Sequence, residues 1–213
     1  MPGIYSAHDA IIGVQGATGG RGGGLRWLLR DEFTTDRAAG AVDGTAAEPG
    51  PGTRTVVDTG SDVSIASDVL VIAGGAGAWS DPRITYTPTL AERSGYGLGA
   101  QCEIAVTSGK IAFGMADGAG ATPTGVFFRI DGTTLEVVDG AAVNAAATAT
   151  IGTITGSTPY YLAINKRSSM TEYYIYGGAE YTDWTCVHRG AALAVDPVVV
   201  GIWNYDAVAE VTS

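Results

Sequence analysis

Residues 13 to 24 read GVQGATGGRGGG, behind the apolar pair Ile11 and Ile12. Such a run can cradle a phosphate, because glycines let backbone N–H groups approach an anion closely. A dinucleotide site needs more than the loop. It requires a strand before it, a helix after it, repeated strand–helix units and an acidic residue about 20 positions on. That alternation is missing downstream, and so is a phosphate-binding lysine motif. The glycine run is not read as a nucleotide site.

Carboxylates are the next candidates. A retaining glycosidase needs two of them about 5 Å apart, a distance that positions i and i+2 of one strand supply. Glu103 in QCEIAV, Glu136 in TLEVVDG and Glu172 in TEYYIY each stand without an acidic i+2 partner. They read as solvent-facing strand residues. The two histidines, His8 and His188, are too few for most metal or acid–base sites, and no G-x-S-x-G motif is present. No enzymatic activity is expected.

Asp58, Asp62, Asp68, Asp81, Asp117 and Asp131 fall at or near expected strand ends. Calcium takes about 6–8 oxygens from converging loops, so it is the one cofactor these residues leave open. An Asp at a turn more often bonds its own backbone. Sugar binding calls for an exposed aromatic ring with polar neighbours. Trp203, Asn204, Tyr205 and Asp206 in GIWNYDAV have that chemistry, as do Trp79 and Asp81 in AWSDP. Core or rim packing is the competing role for a tryptophan in a β-sandwich. The tyrosines of YYLAI and EYYIYGGAEY alternate, so half of them face outward, where tyrosine also serves subunit interfaces.

These residues are carried by 213 residues that are 46% hydrophobic and 16% charged, enough for a sizeable core and too apolar for a disordered tail. The 32 glycines lie mostly between short apolar runs, as turns would place them. Net charge is −10, and the densest basic cluster, Arg21, Arg26 and Arg30, runs directly into Asp31 and Glu32. Such a balance repels phosphate backbones and anionic lipids, so no nucleic-acid partner is expected. Nor is membrane insertion, since no run reaches the roughly 18 apolar residues of a span. The start MPGIYSAHDA lacks the basic and apolar segments of a signal peptide. Cys102 and Cys186 have no metal-ligand spacing; they form a disulfide if their strands are neighbours and otherwise are buried thiols.

From about residue 54 the chain consists of short apolar or alternating runs closed by turn residues. They include SDVSIASD, VLVIAGG, RITYTP, GLGAQCEIAVTSG, KIAFGMADG, TGVFFRIDG, TTLEVVDG, TPYYLAINKR, TEYYIYGG, EYTDWTCVHRG and PVVVGIWNYD. Asp131–Gly132 predicts a hairpin turn, and TSGK a hairpin-like connection. About a dozen strands at this spacing predict an all-β protein, a two-sheet antiparallel β-sandwich. Helix signals are thin. LRWLLRDEF fits two helical turns or an alternating strand, and the Ala-rich GAAVNAAATAT fits helix, strand or loop.

The opening Asp31-x-Phe33, the Gly/Pro-rich loop after it and VLVIAGG resemble the start of concanavalin A-like, laminin-G-like jelly-roll domains. YYLAINKRSSMTEYYIYGGAEYTDWTCVHRG is similar to their paired central strands, and VVVGIWNYDAVAEVTS to their closing ones. The likeness covers residues 28–213 and implies two stacked antiparallel sheets of about six or seven strands each. Such domains occur in lectins, glycoside hydrolases, adhesion proteins and bacteriophage structural proteins. The Gly-rich N-terminus and Ala/Gly-rich turns resemble the phage examples most.

The expected organisation is an N-terminal arm over residues 1–24 and a sandwich over 25–213. In the arm Gly13, Gly16, Gly19 and Gly22 recur every third residue, and Ile4, Tyr5, Ile11 and Ile12 offer apolar docking side chains. A flexible linker is the plainer reading of the same glycines. The arm would join copies of the chain into a homo-oligomer, or tie it to other virion proteins. The function this implies is a non-enzymatic structural or surface-appendage subunit of a virion, hence extracellular. The alternative is a carbohydrate-binding, lectin-like module that meets a surface glycan.

Overall fold

Along Leu98–Ser108, Leu98, Ala100, Cys102, Ile104 and Val106 are all buried. Only an extended strand brings a period of two to one face, and the same pattern builds most of the molecule. The computed structural model describes residues 12–17, 25–90, 98–167, 169–192 and 198–212. Among them the strands are β1 Ile12–Ala17, β2 Leu25–Asp31, β3 Thr53–Val57, β4 Val63–Ala66, β5 Val69–Ile72, β6 Arg83–Thr87, β7 Leu98–Ser108 and β8 Lys110–Ala116. They continue with β9 Thr124–Asp131, β10 Thr134–Ala142, β11 Ala149–Thr153, β12 Tyr160–Lys166, β13 Thr171–Gly177, β14 Tyr181–Gly190, β15 Val199–Asn204 and β16 Val208–Thr212. No helix occurs among the described residues.

Two antiparallel sheets form a jelly-roll sandwich. One runs β14-β13-β12-β7-β16-β5-β4, with β1 and β2 attached beside β7; the other runs β11-β10-β9-β8-β15-β6-β3. One edge of the long β7 is shared, its Gly99–Gln101 part pairing with β1 and its Glu103–Ser108 part with β16. The other edge pairs with β12. Between the sheets lies the main apolar core, which includes Ile72, Ile104, Phe128, Tyr173 and Ile202. A second apolar cluster, Trp79, Ala112, Ala116, Phe127, Val138, Val143 and Trp203, covers the outer side of the seven-stranded sheet.

Several local expectations change. Ile12–Ala17, within the expected arm, pairs with both β2 and β7. Its backbone groups find sheet partners on either side, which glycine content alone does not reveal. Residues 1–11 and 18–24 of the expected arm lie outside the described residues. TSGK is not a hairpin: β7 and β8 belong to different sheets, and Gly109, at φ 79°, carries the chain between them. Asp131–Gly132 does turn the β9–β10 hairpin, with Gly132 at φ 61°. The Ala-rich segment makes no helix because its carbonyls are claimed elsewhere. Arg129 Nη1 donates to the carbonyls of Val143 at 3.2 Å and Ala145 at 2.7 Å.

The Asp31-x-Phe33 motif closes one end of the sandwich. Asp31 and Arg54 are both fully buried; Arg54 Nε donates to Asp31 Oδ2 at 2.6 Å, and Nη2 donates to Oδ1. The Tyr86 hydroxyl donates to Oδ2 at 3.0 Å, while the backbone N–H groups of Phe33 and Glu48 donate to Oδ1 at 3.3 and 3.2 Å. The Phe33 ring lies 5.5 Å from the guanidinium. Glu48 links this cluster to the next turn, accepting from the Thr35 N–H at 2.9 Å and the Thr34 hydroxyl at 3.1 Å.

Burial disfavours ionised Glu48, but the hydrogen bonds from Thr35 and Thr34 and the charge of Arg54 outweigh it and lower its pKa below 4.5. Its contribution to stability is therefore complete above the ordinary carboxylate value and lost as pH falls through the lowered one. In a urea series from pH 7 to pH 3, the midpoint should fall on the acid side of about 4.5. Glu48→Gln should weaken that dependence, and an unchanged pH profile would refute the assignment.

Candidate functional site

The stretch Trp203–Asp206 sits at the junction of β15 with the turn before β16, and its side chains divide between interior and surface. Trp203 is fully buried, with its ring 5.3 Å from Phe127 at 82° and its Nε1 donating to the Gly120 carbonyl at 3.0 Å. Asn204 is buried too; its Nδ2 donates to Gly74 O at 2.7 Å and its Oδ1 accepts from the Ala207 N–H at 3.0 Å. Tyr205 is half-buried, with the Trp79 ring at 5.7 Å and the Lys110 ammonium at 5.8 Å. Exposed Asp206 accepts from the Lys110 N–H at 2.7 Å, which braces the crossing at Gly109. Buried Trp203 and Asn204 therefore hold this corner together, and only Tyr205 and Asp206 reach the surface.

Four of the six loop aspartates are also engaged. Asp58 accepts from the N–H groups of Asp62 and Val63 at 2.7 and 2.9 Å. Asp81 accepts from the Thr59 N–H at 3.1 Å, and Asp117 from the Thr124 N–H at 2.9 Å. Asp131 pairs with Lys110 at 2.6 Å. A depression lined by Gly40, Val42, Asp43, Val56 and Asp58 brings two carboxylates together, but Asp43 accepts from the Val56 N–H at 2.8 Å. Among the described residues no group of three or more potential ligands converges.

Glu103 and Glu172, expected to face solvent, are only 8% and 7% exposed. They lie on β7 and β13 with β12 between, Glu103 opposite Tyr161 and Glu172 opposite Asn165. Two strand spacings and four residues of rise separate them by about 16 Å, beyond the roughly 5–9.5 Å of glycosidase carboxyl pairs. Glu172 is held by Arg189 Nε at 3.3 Å and Arg167 Nη2 at 3.5 Å. Glu136 pairs with Arg129 at 2.7 Å. His188, expected at the surface, is half-buried with its ring 5.5 Å from Tyr173; His8 lies outside the described residues.

The outer side of the nine-stranded sheet carries a different group. Adjacent tyrosines on β12 and β13 split by parity: Tyr160 and Tyr173 enter the core, while Tyr161, Tyr174 and Tyr176 point outward and are half-buried. Tyr161 is the cross-strand partner of both Glu103 and Tyr176. Trp184, on β14 beyond the turn at Gly177–Gly178, completes the row. Ring centroids are 5.5 Å apart for Tyr161–Tyr176, 5.8 Å for Tyr176–Trp184 and 6.4 Å for Tyr161–Trp184. The three rings form one ledge across three strands, ended by the Glu103 carboxylate on the fourth. Burial, and then the neighbouring Glu103 carboxylate, push the Tyr161 phenol well above its ordinary pKa. The hydroxyl therefore stays protonated beside the carboxylate.

A face of this kind can pack an apolar surface on its rings while Glu103 accepts hydrogen bonds at its margin. Sequence parity signalled the outward tyrosines. Trp184 gave no comparable sign, because its place in the row depends on an irregular register between β13 and β14. The strand order also separates the cysteines. Cys102 on β7 faces the core and Cys186 lies on β14, three strand spacings or about 14 Å away, too far for a disulfide. Both are free thiols, and burial pushes that of Cys102 well up.

No family model matches the sequence, and no curated protein matches it. Solved structures do share the architecture. Peanut lectin, in complex with a nine-residue peptide, aligns with a TM-score of 0.52 and 10% identity over 79% of this chain and 91% of its own. Lectin II from Ulex europaeus aligns at 0.50 with 11% identity, over 75% and 91%. The carbohydrate-binding module CBM66 from Bacillus subtilis aligns at 0.48 with 16% identity, over 76% and 92%. By the two lectin alignments the chain has the concanavalin A-like, legume-lectin-like jelly-roll fold. At these identities the likeness is one of fold.

Proposed function

We propose that the protein is a non-enzymatic, carbohydrate-binding, lectin-like module whose ligand stacks on the ledge of Tyr161, Tyr176 and Trp184. The observation that carries this reading is the trio of half-buried rings on an outer sheet face, bordered by the Glu103 carboxylate on the next strand. The C–H face of a pyranose is apolar and slightly positive, and the face of an aromatic ring is apolar and negative. Sugar hydroxyls at the ring margin find an acceptor in Glu103. The lectin-like fold supports the same reading by analogy. The expected result is saturable binding of the full chain to an immobilised glycan panel, confirmed by calorimetry and unchanged by EDTA. Absence of binding overturns the proposal, and loss of binding in EDTA moves the ligand to the aspartate-bearing loops and a calcium ion.

Such a module suits a surface appendage of a virion, displayed outside the cell and assembled through its N-terminal residues. The motivating feature is sequence: Gly-rich residues 13–24 preceded by Ile4, Tyr5, Ile11 and Ile12. Sedimentation should give a defined oligomer for the full chain and a monomer for a chain lacking residues 1–11. Equal masses for the two would remove the assembly role.

A further inference from the structure

We infer that the ledge selects uncharged sugars and rejects acidic ones, with Glu103 as the residue that makes the distinction; this rests on the glycan-binding reading above. Glu103 and Tyr161 are direct cross-strand partners, which places their Cβ atoms about 4.5–5.5 Å apart. A sugar stacked on Tyr161 therefore brings its ring substituents against the Glu103 carboxylate. Glu103 is only 8% exposed, so its carboxylate has little freedom to turn away from a ring stacked on Tyr161.

A carboxylate accepts hydrogen bonds and does not donate them. Sugar hydroxyls and acetamido N–H groups can supply the donor. A uronic or sialic acid instead presents a second carboxylate, another acceptor of like charge, in a half-buried setting where repulsion is stronger than in water. The net charge of −10 adds a field of the same sign. Two opposing charges on this face, among the described residues, are remote and committed. Arg189 and Arg167 both pair with Glu172 at 3.3 and 3.5 Å, and Glu172 lies two side-chain rows from the aromatic one, about 13 Å along the strands.

The test titrates the full-length protein with neutral tetrasaccharides of glucose, galactose, mannose and N-acetylglucosamine, and with matched acidic sugars. These are tetragalacturonate against the galactose tetrasaccharide, and 3′-sialyllactose against lactose. The neutral member of a bound pair should bind at least about ten-fold more tightly, with the ratio narrowing in 1 M salt. Glu103→Gln should bring the ratio below about three-fold while the neutral sugar still binds. Equal or tighter binding of the acidic member overturns the inference, as does a ratio that neither salt nor Glu103→Gln changes. In both cases glycan binding itself survives. If no sugar binds the unaltered protein, the functional reading fails and takes this inference with it. Should Glu103→Gln not fold, the salt dependence of the unaltered protein decides.

Discussion

Asp31→Ala should lower the unfolding free energy by about 3–5 kcal/mol or prevent folding, among the largest effects of any single surface-neutral change. The reason is what the substitution leaves behind. Arg54 lies wholly within the sandwich, its Nε and Nη2 both aimed at Asp31, with Thr45 Oγ1 at 2.9 Å from Nη1. Without Asp31 the guanidinium is a buried charge whose nearest remaining carboxylate oxygen is that of Glu48, 3.8 Å from Nη2. The Tyr86 hydroxyl and two backbone N–H groups lose their acceptor as well. Asp31→Asn keeps an acceptor but not the charge, and should fall between the variant and the unaltered protein. Replacing both partners, Asp31→Leu with Arg54→Met, should recover much of the loss, because removing a whole buried pair is far less costly than orphaning half of it. Urea unfolding followed by tryptophan fluorescence measures all three. A loss below about 1 kcal/mol for Asp31→Ala would mean that the pair is not the clasp its geometry describes.

What was legible follows from which interactions are local. Period-two burial is written into single strands, so β7, β12 and β13 could be located from their residues, and their number and turns pointed to a sandwich. Pairing between distant segments is not written that way. Ser108–Gly109–Lys110 has the residues of a hairpin, yet its crossing to the other sheet depends on Asp206, 96 positions on, bonding the Lys110 N–H. The helix propensity of Gly140–Thr150 is overridden by Arg129, which lies on a neighbouring strand and takes the carbonyls a helix would have used. Asp31-x-Phe33 signalled a domain start, but not that Arg54 and Tyr86 would converge on it. The candidate site divided in the same manner. Outward tyrosines were readable by parity, whereas Glu103 at the end of their row and Trp184 within it required the order of four strands. Trp203 had the composition of a binding residue and the position of a core one.

That last contrast gives a prediction with opposite outcomes at two tryptophans. Trp203 is fully buried against Phe127 and satisfied by the Gly120 carbonyl. Trp203→Ala should cost about 3–5 kcal/mol of stability, since it empties the centre of the cluster on the seven-stranded sheet and strips the carbonyl of its donor. Protein that remains folded should bind sugar as before, because the ledge lies on the other sheet. Trp184 is half-buried on the edge strand β14, touching Tyr161 and Tyr176. Trp184→Ala should change stability by no more than about 1 kcal/mol, while removing a stacking surface comparable to those worth about 1–3 kcal/mol for flat rings on aromatics. Affinity should then fall by roughly ten- to a hundredfold. Chemical denaturation and sugar titration on both variants separate the two roles. Loss of binding with Trp203→Ala at full folding, or normal binding with Trp184→Ala, would place the ligand away from the ledge. The first result would return attention to Tyr205 and Asp206, the two members of the Trp203–Asp206 stretch that reach the surface.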